Sequence, residues 1–214
     1  MEKMKILFQG DSITDGNRYK DKASRWDKNH QIGHSWAYIV TGALTCRHPG
    51  KYECVNRGVS GNTVMNLRER WQEDTLDERP DVLLVLVGVN DCSHIAAGEY
   101  TPEEYGRVYR ELLNDARCAL PHTRFILLEP FQIVDDPARS ALMPALRQTV
   151  KEIAEETGGL FIPLADDFDA FAARDGRDLW LWDGVHPTEA GHYHIAEKVL
   201  AMGAEIFGTD KEDA

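Results

Sequence analysis

Short apolar runs alternate with amphipathic stretches along most of the chain. Met4 to Phe8, Tyr52 to Asn56, Val82 to Val87, Arg124 to Leu128 and Leu160 to Ile162 have the length and residue types of strands. Val82 to Val87 is apolar at every position, the pattern of a parallel strand covered on both faces. Between these runs the apolar positions recur at helical spacing. Ser35 to Leu44 carries Trp36, Ile39, Val40 and Ala43, and Thr63 to Trp71 carries Val64, Leu67 and Trp71. Thr101-Pro102-Glu103-Glu104 offers an N-cap, a first-turn proline and a capping-box glutamate, so it opens a helix that reaches about Leu120. Leu142 to Thr157 predicts a helix stopped by Gly158-Gly159, and Glu189 to Ile206 predicts the last helix.

Strand–helix alternation means βαβ units, a parallel sheet and right-handed crossovers. The expected architecture is a three-layer α/β/α sandwich on a five-stranded parallel sheet. No linker, repeat or low-complexity segment interrupts it. A single domain over residues 1–208 is expected, with Thr209 to Ala214 as an acidic tail. The longest stretch without a period runs from Asn17 to Gly33 and includes Tyr19, Trp26 and His30. It follows the first strand, so it should lie over the edge where open α/β sheets bind ligands.

The bulk composition narrows the function classes. At 214 residues and 43% hydrophobic content, one full core is the default. A formal net charge of −12 argues against nucleic acid or an anionic membrane as partner, since phosphates need a basic surface. The four cysteines, Cys46, Cys54, Cys92 and Cys118, form no C-x-x-C pair and have no histidine at metal-ligand spacing. They are expected to be buried or half-buried free thiols, with no metal implied. The residues after Met1 lack the apolar core of a signal peptide, and no run approaches the ~18 residues of a membrane span. A soluble, cytoplasmic protein is therefore expected, with homo-oligomerisation left open.

Four short blocks carry candidate chemistry: Gly10-Asp11-Ser12-Ile13-Thr14, Ser60-Gly61-Asn62, Gly88-Val89-Asn90-Asp91, and Asp183-Gly184-Val185-His186-Pro187. Ser12 follows the first strand and becomes a nucleophile only if a base takes its proton. His186 is the candidate base. Asp183, three residues earlier, is near enough to accept from its Nδ1–H and leave Nε2 for Ser12. A tetrahedral oxyanion needs donors aimed at it. The backbone N–H of Ser12, the N–H of Gly61 and the side-chain amide of Asn90 all follow successive strands, so one sheet edge would carry all three. Asp11, Trp26, Phe131 and Trp182 are candidate substrate contacts; Trp180 alternates with Trp182, so one of the two should face inward. His34, His192 and His194 have no such partner and read as surface or core residues.

In order and content the four blocks resemble the SGNH (GDSL) hydrolase family. Within it, several segments are similar to bacterial intracellular acetylxylan esterases acting on acetylated xylo-oligosaccharides. The segments are Gly10 to Asp15, Val55 to Thr63, Arg70 to Asp74, Gly88 to Asp91, Ile153 to Thr157 and Trp182 to Pro187. The resemblance implies a flavodoxin-like strand order 2-1-3-4-5 and no metal or cofactor. It also implies Ser12 as nucleophile, His186 as base, Asp183 as its orienter, and Ser12, Gly61 and Asn90 as oxyanion donors. The expected activity is hydrolysis of small acyl esters, foremost O-acetyl groups on short soluble saccharides, through an acyl-enzyme. Two alternatives stand beside it. A lysophospholipase or thioesterase would need a long apolar groove, which the polar Asn17–Gly33 stretch does not suggest. A non-catalytic sugar-binding domain would be expected to have lost part of the set.

Overall fold

Five short strands supply the frame: β1 (Met4–Gly10), β2 (Tyr52–Asn56), β3 (Val82–Leu86), β4 (Arg124–Leu128) and β5 (Leu160–Ile162). A computed structural model describes residues 3–21 and 28–209. The strands form one sheet in the order β2-β1-β3-β4-β5, and every neighbouring pair is parallel. This is the predicted order and the predicted α/β/α sandwich. All five residues of β3 are buried, as its unbroken apolar run requires at the centre of a covered sheet.

Between β1 and β2 lie α1 (Ser12–Asp15), α2 (Lys28–Ile32) and α3 (Trp36–Arg47). Between β2 and β3 lies α4 (Val64–Trp71), which continues into a π-helical turn over Gln72–Leu76. Then come α5 (Val89–Ala96) and α6 (Pro102–Ala119) before β4, α7 (Pro137–Thr157) before β5, and α8 (Ala165–Asp175) and α9 (Glu189–Phe207) at the end. Helices α3 and α9 pack together on one side, and α4, α6 and α7 pack in sequence on the other. Trp36 of α3 is buried edge-on against Phe8 of β1, with ring centroids 5.2 Å apart. The Thr101–Glu104 capping box forms as expected at the start of α6.

The expected helices do not include α1, α2, α5 or α8, and α2 lies inside the Asn17–Gly33 stretch read as lacking a period. The helix α7 begins at Pro137, five positions before Leu142, because Asp136 caps it by accepting from Ala138 and Arg139 N–H. A second proline, Pro144, sits inside it, within the stretch that the periodicity already assigns to a helix. The segment α8 was not among the expected helices, although Ala165, Phe168, Phe171 and Ala172 recur at helical spacing; it buries Ala165 and Phe168. The four cysteines are free, but Cys46 and Cys118 are exposed near the ends of α3 and α6, against the expectation of burial. Apart from Thr209, the tail assigned to 209–214 lies outside the described residues. Among the described residues no helix is long and apolar enough to cross a membrane.

Candidate active site

The register of β1 brings Gly10 opposite Leu86 of β3 and Phe8 opposite Asn56 of β2. The residues after these three strands therefore emerge side by side at the carboxyl edge of the sheet. Gly10 makes the turn out of β1 at φ +152°, and a Cβ there would lie 2.2 Å from the Leu86 carbonyl oxygen. Asp11 then caps α1: its Oδ1 accepts the Ile13 N–H at 3.0 Å. Its side chain is buried, which corrects the expectation that it contacts substrate. Burial pushes its carboxyl up to about 7, opposed by the Ile13 N–H and reinforced by the nearby Asp91 carboxyl.

Ser12 is the first residue of α1, so its own N–H has no partner within the helix. Its Oγ lies 2.9 Å from His186 Nε2. His186 Nδ1 lies 2.7 Å from Asp183 Oδ2, the separation of a charge-assisted bond in which Nδ1–H donates. The other Asp183 oxygen accepts the backbone N–H groups of Val185 and His186 at 3.0 and 2.7 Å. Burial alone would raise the Asp183 carboxyl. The hydrogen bonds from His186 and Val185 outweigh it and hold the group below its ordinary value. The loop is closed by Trp182 N–H donating to the His186 carbonyl at 3.1 Å.

Gly61 follows β2 at φ +81°, and its N–H has no acceptor among the described residues. Asn90 lies in the first turn of α5, directly after β3, and its Nδ2 donates to the Asn62 carbonyl at 3.1 Å. One amide hydrogen is thus used to orient the group and the other is left over.

A set of polar residues that single-residue reasoning missed ties these loops together. Asn56 Nδ2 donates to the carbonyls of Thr14 and Ile32, while its Oδ1 accepts the Gly58 N–H. Asp15 Oδ2 accepts from both the N–H and the hydroxyl of Ser60. Burial would raise the Asp15 carboxyl, but the Ser60 bonds and the Lys20 ammonium bring it below its ordinary value. Arg70 reaches the carbonyls of Arg57 and Gly10 and the Asn62 side chain. Asp91 Oδ1 accepts the Val64 N–H and the Tyr100 hydroxyl, joining α4 to α5. Burial lifts its carboxyl to about 6 against those two donors. Asp15, Asn56, Arg70 and Asp91 fall within the segments that carry the family resemblance, which is the signal that could have marked them.

A cavity of about 640 Å³ opens beside Ser12 and His186, lined also by Asn17, His34, Trp182 and His192. Gly61 and Asn90 stand outside its lining. Trp182 is 61% exposed and stacks on the His186 ring, with centroids 5.5 Å apart and planes at 20°. Its neighbour Trp180 turns away and stacks on Phe171 instead. Phe131 does not reach the cavity. It is buried against Phe168, with stacked rings 4.4 Å apart, which corrects its assignment as a substrate contact. Trp26 lies outside the described residues. His34 and His192, read from sequence as surface or core, instead line the cavity, and His194 bonds Asp167 at 2.9 Å. Among the described residues no group of three His, Cys, Asp or Glu side chains is placed to hold a metal ion.

The sequence pattern of the GDSL-like lipase/acylhydrolase family matches residues 8–193. An acetylxylan esterase of Geobacillus stearothermophilus is 32% identical over 206 residues, covering 92% of each chain. A crystal structure of that acetylxylan esterase superposes with a TM-score of 0.82 at 30% identity, over 97% of this chain and 95% of the other. Two further structures of it carry a serine-to-alanine and an aspartate-to-alanine change and are described as catalytic mutants. A Parabacteroides merdae structure described as a GDSL-like lipase superposes with a TM-score of 0.86 at 34% identity, over 97% of this chain and 96% of the other.

Proposed function

This chain belongs to the GDSL-like lipase/acylhydrolase family and is a serine carboxylic ester hydrolase, and we propose that it removes acetyl groups from short saccharides such as xylo-oligosaccharides. The observation that carries the mechanism is the hydrogen-bonded chain from Ser12 Oγ through His186 to Asp183, at 2.9 and 2.7 Å. The acetylxylan esterase relative, alike over nearly its whole length, supports the substrate class.

In this reading Ser12 Oγ attacks the acyl carbon while His186 Nε2 takes the hydroxyl proton. Asp183 holds the ring so that Nε2 faces Ser12, and stabilises the imidazolium that forms. The carbonyl oxygen becomes an oxyanion and receives hydrogen bonds from Ser12 N–H, Gly61 N–H and the second amide hydrogen of Asn90. Collapse expels the sugar oxygen, which takes the proton from His186 and leaves an acetyl-serine. A water then attacks that ester, with His186 again as base, and acetate and free Ser12 are released.

The acyl group and the sugar make different demands on space. An acetyl group is far smaller than the 640 Å³ cavity, so the cavity is assigned to the saccharide, with Trp182 as one wall. The domain acts as a single catalytic unit over residues 1–208, in the cytoplasm, on saccharides short enough to be imported. The test is a panel of p-nitrophenyl esters from acetyl to octanoyl together with acetylated xylo-oligosaccharides. Release of acetate from the saccharides and a preference for acetyl over octanoyl esters are expected. A preference for octanoyl esters would favour a lipid or thioester substrate instead.

A further inference from the structure

His192 has one ring nitrogen committed to the fold and one left for something else. Trp36 is the first residue of α3, so its N–H finds no acceptor within the helix. The Ser35 hydroxyl caps the next N–H, that of Ala37. The Trp36 N–H goes instead to His192 Nδ1, at 3.2 Å. A nitrogen that accepts from a backbone N–H cannot carry a proton, so the ring hydrogen sits on Nε2. Nε2 has no partner among the described residues and is accessible rather than buried. His192 lines the same cavity as Ser12 and His186.

The surroundings keep the ring neutral. Burial comes first in pushing its pKa down to about 4, with His34 and His186 acting in the same direction and the Glu189 carboxylate opposing. A neutral donor of fixed tautomer suits an uncharged acceptor oxygen. It is no proton acceptor for Ser12, because its only lone pair is already bonded to Trp36.

We propose that His192 determines specificity by donating its Nε2–H to a hydroxyl or ether oxygen of the sugar unit held in the cavity. The assignment rests on the saccharide reading above. It gives that reading a fixed point of contact: the carbonyl is held at the cavity's edge by Ser12, Gly61 and Asn90, and the sugar is held within the cavity. An acyl ester whose alcohol part lacks such an oxygen would leave this donor unpaired and gain nothing from it.

Two substitutions separate the two nitrogens. In His192→Asn the shorter amide can still accept the Trp36 N–H but cannot reach the Nε2 position. In His192→Gln a donor returns near the Nε2 position while the contact to Trp36 is lost. The measured quantity is the ratio of kcat/KM on acetylated xylobiose to kcat/KM on p-nitrophenyl acetate, alongside the thermal midpoint. His192→Asn is expected to lower the ratio roughly tenfold, mainly through KM for the saccharide, as for one neutral hydrogen bond. His192→Gln is expected to recover part of the ratio despite a lower thermal midpoint. An unchanged ratio in His192→Asn, or a ratio that follows thermal stability across both variants, would overturn the assignment. Wild type with no activity on acetylated xylobiose would overturn the saccharide reading itself and this assignment with it.

Discussion

Replacing Asn90 by alanine separates catalysis from binding at this site. Its Nδ2 carries two hydrogens, and the Asn62 carbonyl takes one at 3.1 Å. That bond fixes which end of the amide faces Asn62 and leaves the second hydrogen for the oxyanion. Charge on the substrate oxygen is full only in the transition state, so the lost bond should appear in kcat. Removing one such donor costs roughly 10²–10³-fold in kcat, about 2.7–4 kcal/mol. The broken Asn62 contact is a separate loss of about 0.5–1.5 kcal/mol, which shows in the thermal midpoint and not in kcat. Asn90→Asp should be slower than Asn90→Ala, because a carboxylate would face both the Asn62 carbonyl and the developing oxyanion. The assay is kcat and KM on p-nitrophenyl acetate and butyrate, with thermal melts of each variant. The same kcat loss on both esters is expected, since the oxyanion is common to them. A defect confined to KM would refute the oxyanion role and place Asn90 in substrate binding.

The buried carboxyls make stability depend on pH. The Asp11 carboxyl is raised by burial from 3.8 to about 7 and that of Asp91 from 3.8 to about 6, so the native state holds protons that the unfolded chain has released. Their contribution is complete below about pH 4 and is lost as pH rises through 6 and 7. Asp11→Asn keeps the cap and removes the charge. It should raise the melting temperature at pH 8, by at most about 4 kcal/mol in stability, and change little at pH 4; equal shifts at both pH values would contradict this. Gly10→Ala should lower the urea midpoint by roughly 1–3 kcal/mol or more in stability and reduce kcat with it, because a Cβ would meet the Leu86 carbonyl and displace Ser12 two residues on. A variant of wild-type stability would show that the turn adapts at no cost.

The sheet was legible because its central strand has no polar position and its helices carry local caps. Thr101 and Glu104 could be read as a capping box since both partners lie within one turn. The start of α7 was not legible from periodicity, because Pro137 to Ala141 carries no large apolar residue, and the one local sign is Asp136-Pro137 as N-cap and first-turn proline. Asp183 and His186 were legible as a pair because their bond is local, three residues apart. Ser12 followed from its place at a strand end, and the structure brings it to His186 across 174 residues. Phe131 also follows a strand, but position alone does not say which way a ring turns, and this one turns into the core. Asp11 was misjudged for a related reason: a carboxylate beside a nucleophile is as well suited to capping a helix as to meeting substrate. His192 gave no local sign, since its partner Trp36 lies 156 residues away.

Whether Ser12 carries the acyl group is read directly by mass spectrometry of enzyme quenched during turnover of an acetyl ester. A mass gain of one acetyl group is expected on the peptide containing Ser12. The adduct and turnover should disappear together in a folded Ser12→Ala variant. An acetyl adduct on another residue, or undiminished kcat in Ser12→Ala, would contradict Ser12 as the carrier.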